Sequence, residues 1–145
     1  MSEWKDFPRD FAARSRINVE KYSGEYEVTN LINNCLGLIV IPKELNLESL
    51  PIYKFAEEDH TFGINKKNIE KLDDSNYSLL NVLRHIRNGL SHGLIDQRTE
   101  NGDITAIRIW DRENKQSPGN FSITLTIDEL KKFSFSIADF LFQVE

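Results

Sequence analysis

The chain has 145 residues, of which 39% are hydrophobic and 28% charged, and its formal net charge is −5. This size and composition predict one globular domain, residues 1–145, and the single cysteine excludes an internal disulfide. The acidic charge argues against a general nucleic-acid coat protein, because non-specific affinity comes from lysine and arginine on phosphates. The start is unlike a signal peptide and no apolar run is of membrane-spanning length, so we expect a cytoplasmic protein without membrane contact.

Two helices are predicted in the first part of the chain. Residues 11–22 carry a broken apolar stripe without interior proline or glycine, and Gly24 ends this helix. A second helix runs from about Glu25 to Val40, and Pro42 stops it. Residues 43–72 contain both turn-forming residues and short stretches with helical character, which predicts a connecting loop with a turn or two of helix. On the second helix Cys35 lies on the apolar stripe, which indicates a small core residue.

The most regular helix is predicted over residues 76–92. Its apolar stripe consists of Leu79, Leu83, Ile86 and Leu90. Ser75 is predicted to cap its start, and Gly93 is predicted to end it in a left-handed conformation. The polar residues between the apolar positions therefore lie on other faces of this helix.

After this helix the periodicity changes from that of a helix to that of strands. Residues 105–110 and 121–127 alternate between apolar and polar, and the polar stretch 111–120 between them predicts an antiparallel hairpin with a long tip. Thr126 and Glu129 form a capping-box pattern that opens a last helix over residues 128–142. The predicted fold is mainly α: an antiparallel bundle of four to five helices with a β-hairpin before the C-terminal helix.

The last turn of the central helix combines Arg87, Asn88 and His92. The spacing alone favours a surface arginine and a helix-ending His-Gly pair by about two to one. The fuller string Arg87-Asn88-Gly89-Leu90-Ser91-His92-Gly93 resembles the HEPN superfamily, whose RNase members carry an arginine, often followed by asparagine, and a histidine after four to six residues. Residues 26–33 and 36–42 are similar to the second helix of a bacterial HEPN group.

The resemblance implies a metal-independent endoribonuclease. RNA supplies its own nucleophile, the 2′-hydroxyl, so the protein needs proton transfer and positive charge on the phosphorane, and we expect no metal and no cofactor. His92 is suited to proton transfer, Arg87 to a bidentate phosphate contact, and Asn88 to orienting either partner. Arg84 and Ser91 are candidates for binding the substrate.

Arg87 and His92 do not share one face of a regular helix, because residues five apart point about 140° away from each other. Either the last turn unwinds at Gly89, or the site is shared between subunits. HEPN RNases resemble the second arrangement, which implies a homodimer that brings two copies of His92 together. The same resemblance implies RNA as substrate, a toxin or anti-phage role, and an antitoxin or nucleotidyltransferase as a further partner.

Two rival functions remain open: a HEPN-like module that binds RNA, a nucleotide or a protein without cleavage, and a structural dimerisation domain. Other chemistry-bearing residues have plainer interpretations. His85 is expected to face solvent or a partner, and residues 57–60 are expected to form a solvated acidic loop instead of a metal site. Trp110 and Phe121 are expected to be core residues, and this is favoured over the alternative that they stack on an unpaired base.

Overall fold

The computed structural model describes residues 7–40 and 50–141. Within these ranges the chain forms four α-helices, four β-strands and two short helical turns. In chain order they are α1 (Phe7–Lys21), α2 (Glu27–Cys35), a π-helical turn (Leu36–Val40), a 3-10 turn (Lys66–Asn68), β1 (Ile69–Leu72), α3 (Leu79–Ser91), β2 (Ile95–Glu100), β3 (Asp103–Arg112), β4 (Gly119–Thr126) and α4 (Ile127–Leu141).

The chain divides into two compact units, one of Pro51–Phe133 and one that combines Met1–Leu50 with Ser134–Glu145. The assignment of residues 1–145 to a single domain stays a prediction. We refer to Pro51–Phe133 as the sheet unit, because it contains all four strands of the described residues.

The first unit contains the two helices predicted at the start of the chain. α1 ends at Lys21, and α2 begins after Tyr26, whose φ of 61° is left-handed. Cys35 is fully buried, and its Sγ lies 3.3 Å from Ser134 Oγ. This burial confirms the interpretation of Cys35 as a core residue, and it raises the pKa of the thiol to about 11. Pro42 and residues 43–49, predicted to stop α2 and open the loop, lie outside the described residues.

The four strands form one antiparallel sheet in the order β1-β4-β3-β2. The predicted hairpin is confirmed as β3 and β4, with Ile107 opposite Leu125 and Ile109 opposite Ile123. β1 and β2 were not predicted. β1 has only four residues, and β2 carries one apolar residue, Ile95, so neither shows the alternation by which a half-buried strand is recognised.

The two faces of β3 differ in burial. Ile107, Ile109 and Asp111 are buried on one face, and Phe121 of β4 is also buried, which confirms its core prediction. Trp110 lies on the other face and is only partly buried, so its core prediction is wrong. The Arg112 guanidinium carbon lies 5.2 Å from the centre of the Trp110 ring.

α3 packs on β3 in the sheet unit. Ser78 caps the helix, since its Oγ accepts from the backbone N–H of Asn81 at 3.3 Å, so the predicted cap at Ser75 is three residues too early. Gly89 lies against β3: a Cβ there would clash with the Trp110 carbonyl oxygen and sit 2.6 Å from Ile109 Cγ2. The helix ends at Ser91 with His92 as its C-cap, and the φ of 69° at Gly93, the next residue, confirms the predicted left-handed termination.

α4 begins with the predicted capping box. The backbone N–H of Thr126 donates to Glu129 Oε1 at 2.9 Å, and the N–H of Glu129 donates to Thr126 Oγ1 at 3.1 Å. The helix covers Ile127–Leu141, close to the predicted 128–142, and Phe142 lies outside the described residues.

The predicted fold class, a mainly α bundle of four to five helices with one hairpin, is wrong. The described residues form an α/β fold with four helices and a four-stranded antiparallel sheet. The prediction treated the β3–β4 hairpin as the whole of the β-structure, whereas these are the two central strands of a larger sheet. β4 also pairs with β1 on one side, and β3 also pairs with β2 on the other. α3 therefore packs on a sheet where a helical neighbour was expected.

Candidate functional site

The predicted site residues lie on α3 from Arg84 onwards or directly after the helix. Arg84, Asn88, Ser91 and His92 are exposed, and at about 100° per residue their directions fall within about 100° of one another. We call these four residues the exposed stripe. Arg87, which belongs to the same motif, is only 8% exposed.

The last turn of α3 is regular. The backbone N–H of His92 donates to the Asn88 carbonyl at 3.0 Å, and the N–H of Leu94 donates to the Gly89 carbonyl at 2.8 Å. The alternative that the helix unwinds at Gly89 is therefore wrong. Arg87 and His92 remain about 140° apart around the helix axis, so one chain does not bring the two side chains onto one face.

A buried pair that sequence reasoning missed lies beside the motif. His85 Nδ1 is 2.7 Å from Asp111 Oδ2, and the two residues are 7% and 4% exposed. The His85 ring stacks on Phe121, with centroids 4.8 Å apart and an interplanar angle of 9°. The expectation that His85 faces solvent or a partner is therefore wrong.

Asp111 connects this pair to the motif. Its Oδ2 also accepts from Asn88 Nδ2 at 3.4 Å, and its Oδ1 accepts from the backbone N–H of Arg112 at 2.8 Å. The signal was present in the sequence, because the period of two that buries Ile107 and Ile109 continues to Asp111. A carboxylate on a buried strand face requires donors, and His85 and Asn88 supply them.

A second carboxylate, Asp74, lies near the other edge of the His85 ring, with Oδ2 3.7 Å from Nε2. Asp74 Oδ1 accepts from the backbone N–H of Asn76 at 2.9 Å, and Asp74 Oδ2 accepts from Asn81 Nδ2 at 3.1 Å. The Asn76 N–H, helped by Asn81 and His85, holds the pKa of Asp74 below its usual value. Asn81 Oδ1 in turn accepts from Arg84 Nη2 at 2.6 Å.

These groups line a cleft of about 790 Å³ within the sheet unit. We call it the His85 cleft. α3 contributes Arg84, His85 and Asn88, the end of β3 contributes Asp111 and Arg112, and β4 contributes Asn120; several further acidic or small residues complete the lining. The cleft thus includes two of the predicted site residues, Arg84 and Asn88, while Arg87, Ser91 and His92 do not line it.

Within residues 7–40 and 50–141, no three His, Cys, Asp or Glu side chains are grouped so that they could hold a metal ion. None of the helices there combines the length and apolar character that crossing a bilayer requires. In the acidic segment, residues 57–60, Glu57, Glu58 and His60 are exposed. Asp59 Oδ1 accepts a hydrogen bond from the backbone N–H of Thr61 at 2.9 Å.

Comparison with known proteins identifies one family. A family model described as HEPN pEK499 p136 matches residues 1–145. No curated protein and no solved structure matches the chain significantly.

Proposed function

The chain belongs to the HEPN pEK499 p136 family, and on this basis we propose that it is a metal-independent endoribonuclease of the HEPN type. Family membership supports a HEPN-type nuclease or RNA-binding module. The observation that carries the proposal is the complete Arg-Asn-x-x-x-His motif, Arg87 to His92, at the exposed end of α3. Asn88, Ser91 and His92 are exposed together there.

The reaction requires no group beyond RNA and protein side chains. His92 of one subunit takes the proton of the 2′-hydroxyl, and the resulting oxygen attacks the adjacent phosphorus. The 5′-oxygen leaves with a proton from the second copy of His92, which gives 2′,3′-cyclic phosphate and 5′-hydroxyl ends. Arg87 stabilises the charge on the phosphorane, Asn88 orients the reacting groups, and Arg84 and Ser91 bind neighbouring parts of the RNA.

A homodimer completes the proposed site. Arg87 and His92 lie on opposite flanks of α3, and a two-fold axis next to the exposed stripe would bring each near the partner's copy of the other. Leu80 supports an interface here, because it is 52% exposed and points within about 40° of Arg84 on the same helix. HEPN domains generally dimerise.

The test is a cleavage assay on RNA with EDTA present. We expect 2′,3′-cyclic phosphate ends, intact DNA, and a loss of about 100-fold or more in Arg87→Ala and in His92→Ala. Arg98→Ala and His60→Ala are the matched controls, since both residues are exposed and neither belongs to the motif. Cleavage that persists in both motif variants, or that requires a divalent metal, would contradict the proposal.

One observation favours a second candidate, a HEPN-like module that binds RNA, a nucleotide or a partner without cutting. Arg87 is 8% exposed, whereas a group that contacts a phosphate must reach it. In that case wild type and His92→Ala would be equally inactive but would retain RNA binding in a filter or gel-shift assay. Activity in wild type alone would reject this candidate.

The cellular role that we propose is a cytoplasmic toxin or anti-phage effector, controlled by an antitoxin or a nucleotidyltransferase partner. Expression of wild type should then arrest bacterial growth, and expression of His92→Ala should not. Equal growth of the two strains at equal protein levels would contradict this role.

A further inference from the structure

Two polar atoms in the His85 cleft are buried without a hydrogen-bond partner among the described residues. They are Nε2 of His85 and Oδ1 of Asn120, and both side chains line the cleft. His85 is 7% exposed, and its Nε2 lies 3.7 Å from Asp74 Oδ2, which is too far for a direct hydrogen bond. Buried polar atoms are nearly always paired in native proteins, so two such atoms in one cleft indicate a ligand that pairs with them.

The two atoms differ in what they can pair with. The Asn120 oxygen only accepts, whereas Nε2 of His85 donates or accepts according to the protonation of the ring, whose Nδ1 lies 2.7 Å from Asp111. A hydroxyl group both donates and accepts, and it rotates to suit its partners. It can donate to Asn120 Oδ1 while it accepts from an Nε2–H, or donate to Nε2 when that nitrogen carries no proton. A hydroxyl is therefore the ligand group that fits this end of the cleft in both states of His85.

Two carboxylates extend the part of the cleft that suits hydroxyl groups. Asp73 and Asp74 both line it, and the hydrogen bonds to Asp74 hold the pKa of that carboxyl below its usual value. An ionised carboxylate only accepts hydrogen bonds, and carboxylates accept from ribose hydroxyls in dinucleotide-binding proteins. The acidic residues of the cleft thus favour a sugar.

The cleft also contains two guanidinium groups. Arg84 Nη2 donates to Asn81 at 2.6 Å, and the Arg112 guanidinium carbon lies 5.2 Å from the centre of the Trp110 ring. Neither contact uses all five N–H donors of an arginine, and a guanidinium pairs well with phosphate oxygens. The volume of about 790 Å³ is in the range of sites for small organic groups. Sugar-binding and phosphate-binding groups therefore occur together in one cleft.

We propose that the His85 cleft is a subsite for the ribose and phosphate of one nucleotide of the RNA substrate, and that it reads the 2′-hydroxyl of this nucleotide. The hydroxyl pairs with Asn120 Oδ1 and His85 Nε2, while Arg84 and Arg112 bind the phosphate. The choice of RNA rests on the proposed ribonuclease function. Asn88 lines the cleft and belongs to the motif, and His92 follows it by one helical turn, about 6 Å. The subsite thus holds a nucleotide that neighbours the one being cut.

The test measures how tightly the whole chain binds single strands that differ only at the 2′-position. Three strands share one sequence of A, C and G: RNA, DNA, and a 2′-fluoro strand, whose sugar keeps the RNA pucker but cannot donate a hydrogen bond. Fluorescence anisotropy with His92→Ala, in which the proposed cleavage is blocked, gives each affinity. We expect RNA to bind about 10-fold or more tightly than either other strand, because only RNA pairs with the buried atoms.

Further variants in the same His92→Ala background then assign the contacts. Asn120→Ala should reduce the ratio of RNA to DNA affinity, and it should fold normally because the Asn120 side-chain oxygen has no hydrogen bond within the described residues. Arg112→Gln should weaken RNA and DNA by the same factor, since both carry phosphate. The matched controls are Asn33→Ala and Arg98→Gln, two exposed residues that do not line the cleft, and both should leave all three affinities unchanged.

Three results would each overturn the subsite: equal binding of RNA and the 2′-fluoro strand, no binding of any strand, or an unchanged ratio in Asn120→Ala. The two proposals can fail separately. If Asn120→Ala loses the preference for RNA but the wild-type protein leaves RNA intact, the subsite stands and the ribonuclease is rejected. If the wild-type protein cuts RNA in EDTA but His92→Ala binds RNA and the 2′-fluoro strand equally, the ribonuclease stands and the subsite is rejected.

Discussion

The two ends of α3 differ in how firmly their polar side chains are held. In the first half, Asn81, Arg84 and His85 form hydrogen bonds to one another or to Asp74 and Asp111 at 2.6–3.2 Å. At the last turn, Ser91 and His92 are exposed. The polar side chains of the first half are thus held in place by one another and by two carboxylates, whereas the motif residues of the last turn are not enclosed by the described residues. A second copy of the chain would supply the missing enclosure.

The largest expected effect tests this difference directly by mixing wild type with His92→Ala. If both copies of His92 serve one cleft, only dimers of two wild-type chains cut RNA. Random exchange in an equal mixture should then leave roughly a quarter of the cleavage shown by the same total amount of wild type. The measurement is the initial cleavage rate after unfolding and refolding the mixture. A mixture that retains about half of the wild-type rate would show that each chain acts by itself.

The next effect is on stability, at the buried pair. Asp111→Ala leaves His85 Nδ1 and the Arg112 N–H without their acceptor, and we expect the free energy of unfolding to fall by about 2–4 kcal/mol. The control is Asp96→Ala, whose ion pair with Arg108 has the same length, 2.7 Å, but is exposed, so it should cost less than about 1 kcal/mol. Urea denaturation measures both. Equal losses would mean that burial does not distinguish the two pairs.

Gly89→Ala tests how closely the last turn is fixed to the sheet. The added Cβ would clash with the Trp110 carbonyl oxygen, so helix and strand must separate, at a cost of about 1–3 kcal/mol. Ser91→Ala on the exposed stripe is the control and should change stability by less than about 0.5 kcal/mol. Thermal unfolding followed by circular dichroism is sufficient. An unchanged melting temperature in Gly89→Ala would mean that the end of α3 can move away from β3 at little cost in stability.

The smallest effect concerns Asp74 and acid. Because its pKa in the folded state lies below the usual 3.8, Asp74 adds stability above that value and loses it as the pH falls towards the folded pKa. In Asp74→Asn we expect the free energy of unfolding to decrease less on acidification than in wild type. The difference should be below about 1 kcal/mol, since the Asp74 side chain is 45% exposed. Unfolding curves between about pH 5 and pH 2 measure it, with Asp103→Asn as the exposed control. Parallel pH profiles for wild type and Asp74→Asn would contradict the assignment.

The sequence predicted the elements whose local signals are strong. α2, α3, α4 and the β3–β4 hairpin each have a regular apolar period or a capping pattern, and their bounds came within a few residues. The start of α3 was misplaced because Ser75 and Ser78 are both plausible caps, and only the tertiary structure selects Ser78. β1 and β2 were missed because their pairing depends on distant partners.

The candidate site was predictable as a motif but not as a network. Local sequence places Arg84, Asn88, Ser91 and His92 on one side of a helix, and this needs only the helical period. The cleft depends on Asp111, which is 26 residues from His85 in the chain, and no local pattern links the two. Burial of Arg87 likewise depends on packing that the helical period does not report.

β2 has a consequence for how the protein behaves in concentrated solution. It ends the sheet on one side, and its Asp96, Arg98 and Glu100 are exposed beside backbone groups that the described residues leave open. An uncharged strand in this place would act as a template on which further chains could add and aggregate. In the unshifted parallel pairing of two β2 strands, and in the antiparallel pairing centred on Arg98, like charges would meet at all three positions, so these additions of an identical strand are disfavoured.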